Sequence, residues 1–268
     1  MKNTELNIDT LHYDDLANLH HPSIFDRNEG YDMLIIRLPI MEKMHEFEMV
    51  SFGFVITDEK GYIFDKTTQL LQILPDRFKS IFETIDEKVD LLLNTFKLYQ
   101  DEISKMEVKL YAQKIEKDFM SNWFRHKRDI VRIERVVSLA AGVLREFVEV
   151  YENHNDFPVN NYFDLLEHCE RIHKSASLQL AKLDYIYSFY STYTAEKMNR
   201  IIFVLTLISG IFLPLNLFVG FFGMNTSNLP FAGSENGTMR VLAIMMAVTL
   251  LSVFAVVLWK RWIEKTEE

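Results

Sequence analysis

Two long stretches in the middle of the chain place apolar residues at helical spacing, with polar residues between them. In the first stretch these apolar positions are Ile85, Val89, Leu92, Phe96, Tyr99, Ile103, Met106 and Leu110. In the second they are Trp123, Ile130, Ile133, Val137, Leu144, Phe147 and Tyr151. Alternating steps of four and three residues are typical of helices wound against each other. The pattern predicts a pair of long antiparallel helices over residues 81–157, with a turn near 114–121 and a break at 152–158.

A third helix is predicted from Asn161 to about Phe222, because neither proline nor glycine occurs between Asn161 and Gly210. At 1.5 Å per residue it is about 90 Å long. Its predicted packing stripe is Leu165, Cys169, Ile172, Ala176, Leu180, Leu183, Tyr187 and Tyr190. Since Cys169, the single cysteine, lies on this stripe, we interpret it as a buried small hydrophobic side chain and not as a redox site.

Two runs without any charged residue follow, from Ile201 to Asn225 and from Val241 to Trp259. Each is long enough to cross a bilayer, which requires about 20 apolar residues. Two buried helices of a soluble protein are the alternative, but such helices normally keep a polar face. Basic residues flank the runs on the sides away from the connecting loop: Lys197, Arg200, Lys260, Arg261 and Lys265. The positive-inside rule therefore predicts a multi-pass protein of the cell membrane with both termini in the cytoplasm.

The N-terminal part has a different pattern, with short β-rich segments that begin at Tyr31, Met49 and Lys60. The residues from Thr57 to Gly61 have the composition of a hairpin turn. We therefore expect a small three-stranded sheet in this region.

Together these patterns predict an α+β membrane protein with a small N-terminal α/β cytoplasmic unit, a long helical coiled-coil stalk and two C-terminal transmembrane helices. The predicted boundaries are 1–80 for the α/β unit, 81–157 for the helix pair, 158–225 for the stalk helix with the first span, 226–240 for an outer loop, 241–259 for the second span and 260–268 for a cytoplasmic tail.

Composition excludes several functions. The 268-residue chain has a formal net charge of −9, which argues against nucleic acid as a partner. We find neither a glycine-rich phosphate loop nor a nucleophile with a matching base, so an enzyme is disfavoured. No organic cofactor is expected.

A stripe at helical spacing begins just before the first uncharged run and continues through it. Amides, hydroxyls and a glycine alternate with aliphatic side chains along this stripe, which anchoring alone does not require. Its members are Asn199, Ile202, Leu205, Thr206, Ser209, Leu213, Asn216 and Gly220. Small and polar residues also hold membrane helices together, so packing is one interpretation. The other is a pore wetted by neutral dipoles. One helix cannot enclose a pore, so this interpretation implies an oligomer.

The stretch from Asn199 to Asn225 closely resembles the CorA family of divalent-cation channels. The resemblance depends on Gly223, Met224 and Asn225 at the outer end of the first of two C-terminal spans, on Leu205-Thr206 six residues after Asn199, and on the segment from Ile211 to Leu215. It implies a funnel-shaped homopentamer in the lipid bilayer, which takes up divalent cations. Mg²⁺ is the expected transported and regulatory ion, with Co²⁺ and Ni²⁺ left open.

The resemblance also assigns roles to particular residues. Gly223, Met224 and Asn225 would form the selectivity filter, and a ring of Asn225 amides would select hydrated ions, because Mg²⁺ loses its water reluctantly. The stripe would line the pore, and Glu235 would attract cations to the outer loop. Asp14 and Asp164 of neighbouring subunits would bind the regulatory metal that closes the pore.

Two alternatives remain open. A zinc transporter of the same superfamily could use the eight histidines, although we see no dense ligand cluster among them. A membrane-anchored coiled-coil scaffold without conduction would need neither Asn225 nor the polar stripe.

Overall fold

The computed structural model describes residues 8–43, 46–224, 229–231 and 236–266, with side chains outside 41–47, 256–257 and 259–266. The chain divides into two units, Met1–Phe189 and Tyr190–Glu268. Five strands and three helices form most of the first unit: α1 (Thr10–Ala17), β1 (Ile24–Asn28), β2 (Tyr31–Lys43), β3 (Glu46–Ile56), β4 (Gly61–Asp65), β5 (Leu70–Ile73), α2 (Lys79–Tyr111) and α3 (Phe119–Tyr151). The helix α4 (Val159–Phe222) begins in the first unit and ends in the second, which also contains α5 (Gly237–Thr266).

The sheet is an antiparallel meander in which each strand pairs with the next along the chain. The predicted hairpin turn is confirmed, because Thr57 N–H donates to the Lys60 carbonyl and Ile56 pairs with Gly61. The prediction of three strands was wrong, since β1 and β5 flank the predicted three. These edge strands are only five and four residues long and partly exposed, so they lack the run of buried apolar residues that marks a central strand.

The two faces of the sheet are covered differently. On one face, Leu16 of α1 packs with Met33, Ile35 and Val55. A Cβ at Gly53 would lie 2.5 Å from Leu16 Cδ2, so a larger residue there would require the end of the Leu16 side chain to move. On the other face, the ring of Phe25 lies 5.3 Å from that of Phe147 in α3.

Helices α2 and α3 are antiparallel. The Phe78 ring before α2 lies 4.8 Å from the Tyr151 ring at the end of α3, and Tyr99 Oη donates to Asp129 Oδ2 at 3.0 Å further along. All fifteen residues of the two predicted stripes are buried, so the heptad interpretation is confirmed. Burying each large apolar side chain contributes about 1.5–3 kcal/mol.

Helix α4 packs beside this pair in the first unit. Tyr162 Oη donates to the Phe78 carbonyl at 2.9 Å, and Trp123 Nε1 donates to the Leu183 carbonyl at 2.8 Å. The predicted stripe was wrong in its last turns, because Gln179 and Ile186 are buried whereas Tyr187 is 45% exposed. Gln179 is polar, and an apolar pattern therefore skips it in favour of Leu180. Cys169 is buried as predicted.

The second unit contains the last part of α4, from Tyr190 to Phe222, together with α5. Both helices contain a segment long and apolar enough to cross a membrane, and none of the residues in these segments is buried within the chain. The apolar segments therefore do not form the core of a soluble domain. Pro214 lies inside α4, which continues through it.

Candidate pore stripe and acidic metal site

The eight stripe residues of α4 all lie exposed in the second unit. At 3.6 residues per turn they occupy one arc of about 120° on the helix. The half-buried residues of the same segment are Leu207, Ile211, Pro214, Leu215, Phe218 and Phe222. They lie on the opposite side of the helix. The polar stripe therefore faces away from the side that the chain itself covers.

The polar groups of the stripe are neutral. Thr206 Oγ1 donates to the Ile202 carbonyl at 2.9 Å, so its hydroxyl proton is used within the helix. The hydroxyl oxygen is left to accept a hydrogen bond from water. A surface with lone pairs of this kind can interact with the water of a hydrated cation without replacing it.

The predicted filter begins where α4 ends. Gly223 N–H donates to the Val219 carbonyl at 2.9 Å, and a Cβ at Gly223 would lie 2.9 Å from that same carbonyl oxygen. A side chain at this position would force the backbone to shift, so the turn requires glycine. Met224 is 47% exposed. Asn225 and Glu235 lie outside the described residues, and their roles stay predictions.

A second candidate site lies between α2 and α4 in the first unit. Asp86 and Asp90 are one turn apart on α2, and one ligand atom of each lies within 4.8 Å of the other and of a ring nitrogen of His168. Asp90 Oδ1 is 3.6 Å from His168 Nδ1, and Asp164 Oδ1 is 3.7 Å from His168 Nε2. We call these four residues the acidic cluster.

The electrostatics of the cluster favour a cation. Burial raises the pKa of Asp86, the negative charge of Asp90 raises it further, the nearby His168 partly offsets this, and Asp164 adds a smaller increase. Carboxylates that repel one another in this way gain from a divalent ion between them. In an octahedron with bonds of about 2.1 Å, neighbouring ligand atoms stand about 3 Å apart, so the 3.6 Å between Asp90 Oδ1 and His168 Nδ1 needs only a small adjustment to hold one ion.

The structure places Asp164 in this cluster and Asp14 elsewhere. Asp14 lies exposed on α1, and no contact among the described residues of one chain joins it to Asp164. The predicted pairing of the two between subunits stays a prediction. Sequence reasoning missed Asp86 and Asp90, and it considered His168 only among the eight histidines of the zinc alternative. A signal was present: Asp86 and Asp90 are four residues apart, as are Asp164 and His168, and each such pair lies on one face of its helix.

Helix α4 begins in the first unit and continues as an apolar segment with a neutral polar stripe. Together with the second apolar helix and the acidic cluster, it defines the class of two-span membrane proteins with a candidate metal site. The family described as CorA-like Mg²⁺ transporter protein matches residues 3–261, and the chain belongs to this family. The resemblance seen in the sequence is thereby confirmed. The family consists of membrane transporters of divalent cations and not of enzymes, which also confirms the prediction that the chain is not an enzyme.

Individual relatives are distant. The chain is 21% identical over 259 residues to the cobalt/magnesium transport protein CorA of Thermotoga maritima, covering 90% of this chain and 73% of that protein. Its fold is similar to the complete structure of the CorA magnesium transporter from Methanocaldococcus jannaschii, with a TM-score of 0.70 and 17% identity over 92% of this chain and 82% of the other. The α+β fold with two C-terminal apolar helices is thereby confirmed.

Over 71% of its length the chain is also similar in fold to the ZntB cytoplasmic domain from Vibrio parahaemolyticus, with a TM-score of 0.53 and 14% identity, covering 80% of that domain. At such low identity the likeness concerns the fold alone and does not decide between ions.

Proposed function

We propose that this chain forms a homopentameric channel for Mg²⁺ uptake in the cell membrane, with both termini in the cytoplasm. The observation that carries the proposal is the stripe on α4, whose eight members are exposed on the side opposite the half-buried face. Exposed asparagine and hydroxyl side chains in an apolar helix are costly in lipid, so they face water or another protein. Several copies of α4 around one axis provide both a water-filled pore and neighbouring protein surfaces.

Ion selection in this proposal depends on hydration. A ring of Asn225 amide oxygens at the outer end would hydrogen-bond the water of a Mg²⁺ ion without removing it, because this ion dehydrates reluctantly. Neutral groups hold the ion weakly enough for it to leave, which conduction requires. Gly223 permits the turn that presents Asn225, and Glu235 adds negative charge near the entrance.

Three stripe residues are apolar: Ile202, Leu205 and Leu213. In this proposal they form hydrophobic constrictions that exclude water when five helices approach each other. Thr206 and Ser209 lie between Leu205 and Leu213 and let a hydrated ion rest there. Asn199 lies before the first constriction, and Asn216 and Gly220 follow the last. Gating by such constrictions needs only a small rotation or separation of the helices.

Closure is proposed to follow metal binding in the first unit. The acidic cluster supplies carboxylate oxygens from α2 and α4, and Asp164 belongs to it. Asp14 of a neighbouring copy would complete the set across the interface. Since α4 belongs to both the metal site and the stripe, a metal that binds the closed arrangement better would shift the population toward it.

The test is Mg²⁺ influx into proteoliposomes that contain a fluorescent Mg²⁺ indicator, with the native chain and Asn225→Ala compared. Asn160→Ala serves as a matched control, because Asn160 is exposed at the start of α4 in the other unit. We expect influx in the native chain and in the control, and none above protein-free liposomes in Asn225→Ala. Equal influx in all three would refute the filter.

Negligible influx in all three, with inserted pentamers verified, would refute Mg²⁺ conduction altogether. The same preparation with Co²⁺, Ni²⁺ and Zn²⁺ then ranks the ions. Conduction of Zn²⁺ alone would favour the zinc transporter, and conduction of none would favour the scaffold.

A further inference from the structure

A cavity of about 330 Å³ lies between the sheet and α3 in the first unit. Three arginines line it: Arg37 on β2, and Arg132 and Arg135 on α3. The remaining wall is mainly apolar and includes Met49, Val136 and Leu139. No acidic residue lines this cavity among the part of the chain that the structure describes.

These arginines differ from most others in the first unit. Five arginines there form ion pairs with carboxylates: Arg27 with Asp32, Arg77 with Asp156, Arg128 with Asp129, Arg145 with Glu170 and Arg171 with Glu167. None of the three cavity arginines has such a pair within residues whose side chains are described. In a chain with a net charge of −9, three guanidinium groups around one cavity without a carboxylate are unexpected.

Arg37 is fixed in place before any ligand binds. Its backbone N–H donates to Ser23 Oγ at 2.9 Å, and its Nη1 donates to the His20 carbonyl at 2.9 Å. Ser51, which is opposite Arg37 on β3, donates through Oγ to the His21 carbonyl at 2.9 Å. The guanidinium is therefore preorganised, which lowers the cost of binding.

The positive charge of Arg37 also affects the nearby Lys66. Burial lowers the pKa of Lys66, and the charge of Arg37 lowers it further. An anion in the cavity would relieve the repulsion among the positive groups.

We propose that this cavity binds a small organic phosphate of the nucleotide class, with its phosphate on the three arginines and its organic part against Met49, Val136 and Leu139. The planar guanidinium fork matches two phosphate oxygens at once, which favours phosphate over a simple halide. The cavity volume is at the lower end of ligand pockets, which measure about 300–1,000 Å³. The site is independent of the proposed ion conduction.

The test is isothermal titration of the full-length protein in detergent with ADP. EDTA removes divalent ions, so that metal binding does not contribute. Inorganic phosphate and adenosine are titrated in parallel, because one lacks the organic part and the other lacks the phosphate. We expect ADP to bind at least about tenfold more tightly than inorganic phosphate, and adenosine not to bind.

The variants Arg132→Gln and Arg135→Gln test the arginines. Both residues are exposed, so the fold should survive, and the melting temperature without ligand verifies this. Each substitution should weaken ADP binding by about tenfold or more, as expected for a lost charge-assisted hydrogen bond. Arg171→Gln on α4 is the matched control, since it removes the same charge from an exposed pair and should leave ADP binding unchanged.

Absence of ADP binding, or equal binding in the variants and the native chain, would overturn the proposal. Equal affinity for inorganic phosphate would also overturn it, because the apolar wall would then contribute nothing. Light scattering gives a further check. If the arginine variants change the subunit number while ADP has no effect, the arginines contact a second copy of the chain and not a nucleotide.

Discussion

Replacing Asp86 by asparagine should have opposite effects on stability with and without Mg²⁺. Asp86 is half-buried on α2, and its carboxylate belongs to the acidic cluster with Asp90, Asp164 and His168. Without metal, its charge is unfavourable because it is partly desolvated and close to two other carboxylates. With metal, the same charge is a ligand. Asp86→Asn keeps the shape of the side chain and removes the charge.

The effect without metal follows from the pKa. Burial and neighbouring charges raise the pKa of Asp86 above its ordinary value of 3.8, so the folded state holds the proton more tightly than the unfolded state. Stability is therefore lost as the pH rises through 3.8 and through the higher folded pKa. At pH 7.5 this destabilisation by the ionised carboxylate is fully present, and Asp86→Asn abolishes it. The gain is below about 1 kcal/mol, because the group is half-exposed and screened.

The effect with metal follows from linkage between binding and folding. A ligand at 100 times its dissociation constant stabilises the folded state by about 2.7 kcal/mol. In a unit of this size that raises the melting temperature by about 5–10 °C. If losing one carboxylate ligand weakens binding tenfold, the same Mg²⁺ concentration stabilises by about 1.4 kcal/mol, or about 3–6 °C.

The assay is thermal unfolding of the full-length protein at pH 7.5, followed by tryptophan fluorescence, in EDTA and in increasing Mg²⁺. Asp101→Asn is the matched control, because Asp101 is exposed on the same helix and outside the cluster. We expect Asp86→Asn to unfold at a higher temperature than the native chain in EDTA and to gain less from Mg²⁺. An identical Mg²⁺-induced increase in all three proteins would refute the metal site.

Three further predictions concern single residues. Gly223→Ala should abolish Mg²⁺ influx in proteoliposomes, because its Cβ would lie 2.9 Å from a carbonyl oxygen. The control Gly210→Ala, whose Cβ meets nothing within 4 Å, should still conduct. Similar influx in both variants would contradict this prediction. Burial raises the pKa of the Cys169 thiol to about 12, so the folded protein should not react with iodoacetamide at pH 8. After unfolding in urea the thiol should react, and mass spectrometry would detect the added mass. Rapid alkylation of the folded chain would be the contrary result. Leu16→Ala should destabilise the first unit by about 2–5 kcal/mol in urea unfolding, since Leu16 is 1% exposed, while Leu11→Ala, at a residue 72% exposed, should cost less than about 0.5 kcal/mol. Equal effects of the two leucine variants would show that α1 does not stabilise the sheet.

The helices could be predicted from the sequence because their signal is local and repeated. Positions such as Val89 and Tyr99 on α2 belong to a stripe of eight residues, and one misplaced residue hardly changes such a pattern. All eight are buried. The prediction failed on α4 where the buried residue is polar, as at Gln179. There the facing helix, and not the apolar character of the residue, determines which side is covered.

The edge strands and the acidic cluster could not be predicted in the same way. β1 and β5 are short, and they are strands because β2 and β4 offer them unpaired hydrogen-bonding groups. The cluster joins Asp86 to His168, which are 82 residues apart in the chain. Their proximity depends on the alignment of α2 beside α4, which no local pattern encodes.

The sequence by itself determined the long helices, the two uncharged segments and the polar stripe, because hydrophobic periodicity and the absence of charge are properties of consecutive residues. The family resemblance around Gly223 also required only neighbouring residues. Tertiary structure alone decided which side of α4 is left exposed, how α2 and α4 bring carboxylates and a histidine together, and where three arginines meet around one cavity. Each of these depends on contacts between residues distant in sequence, whose positions are set by the packing of the whole unit.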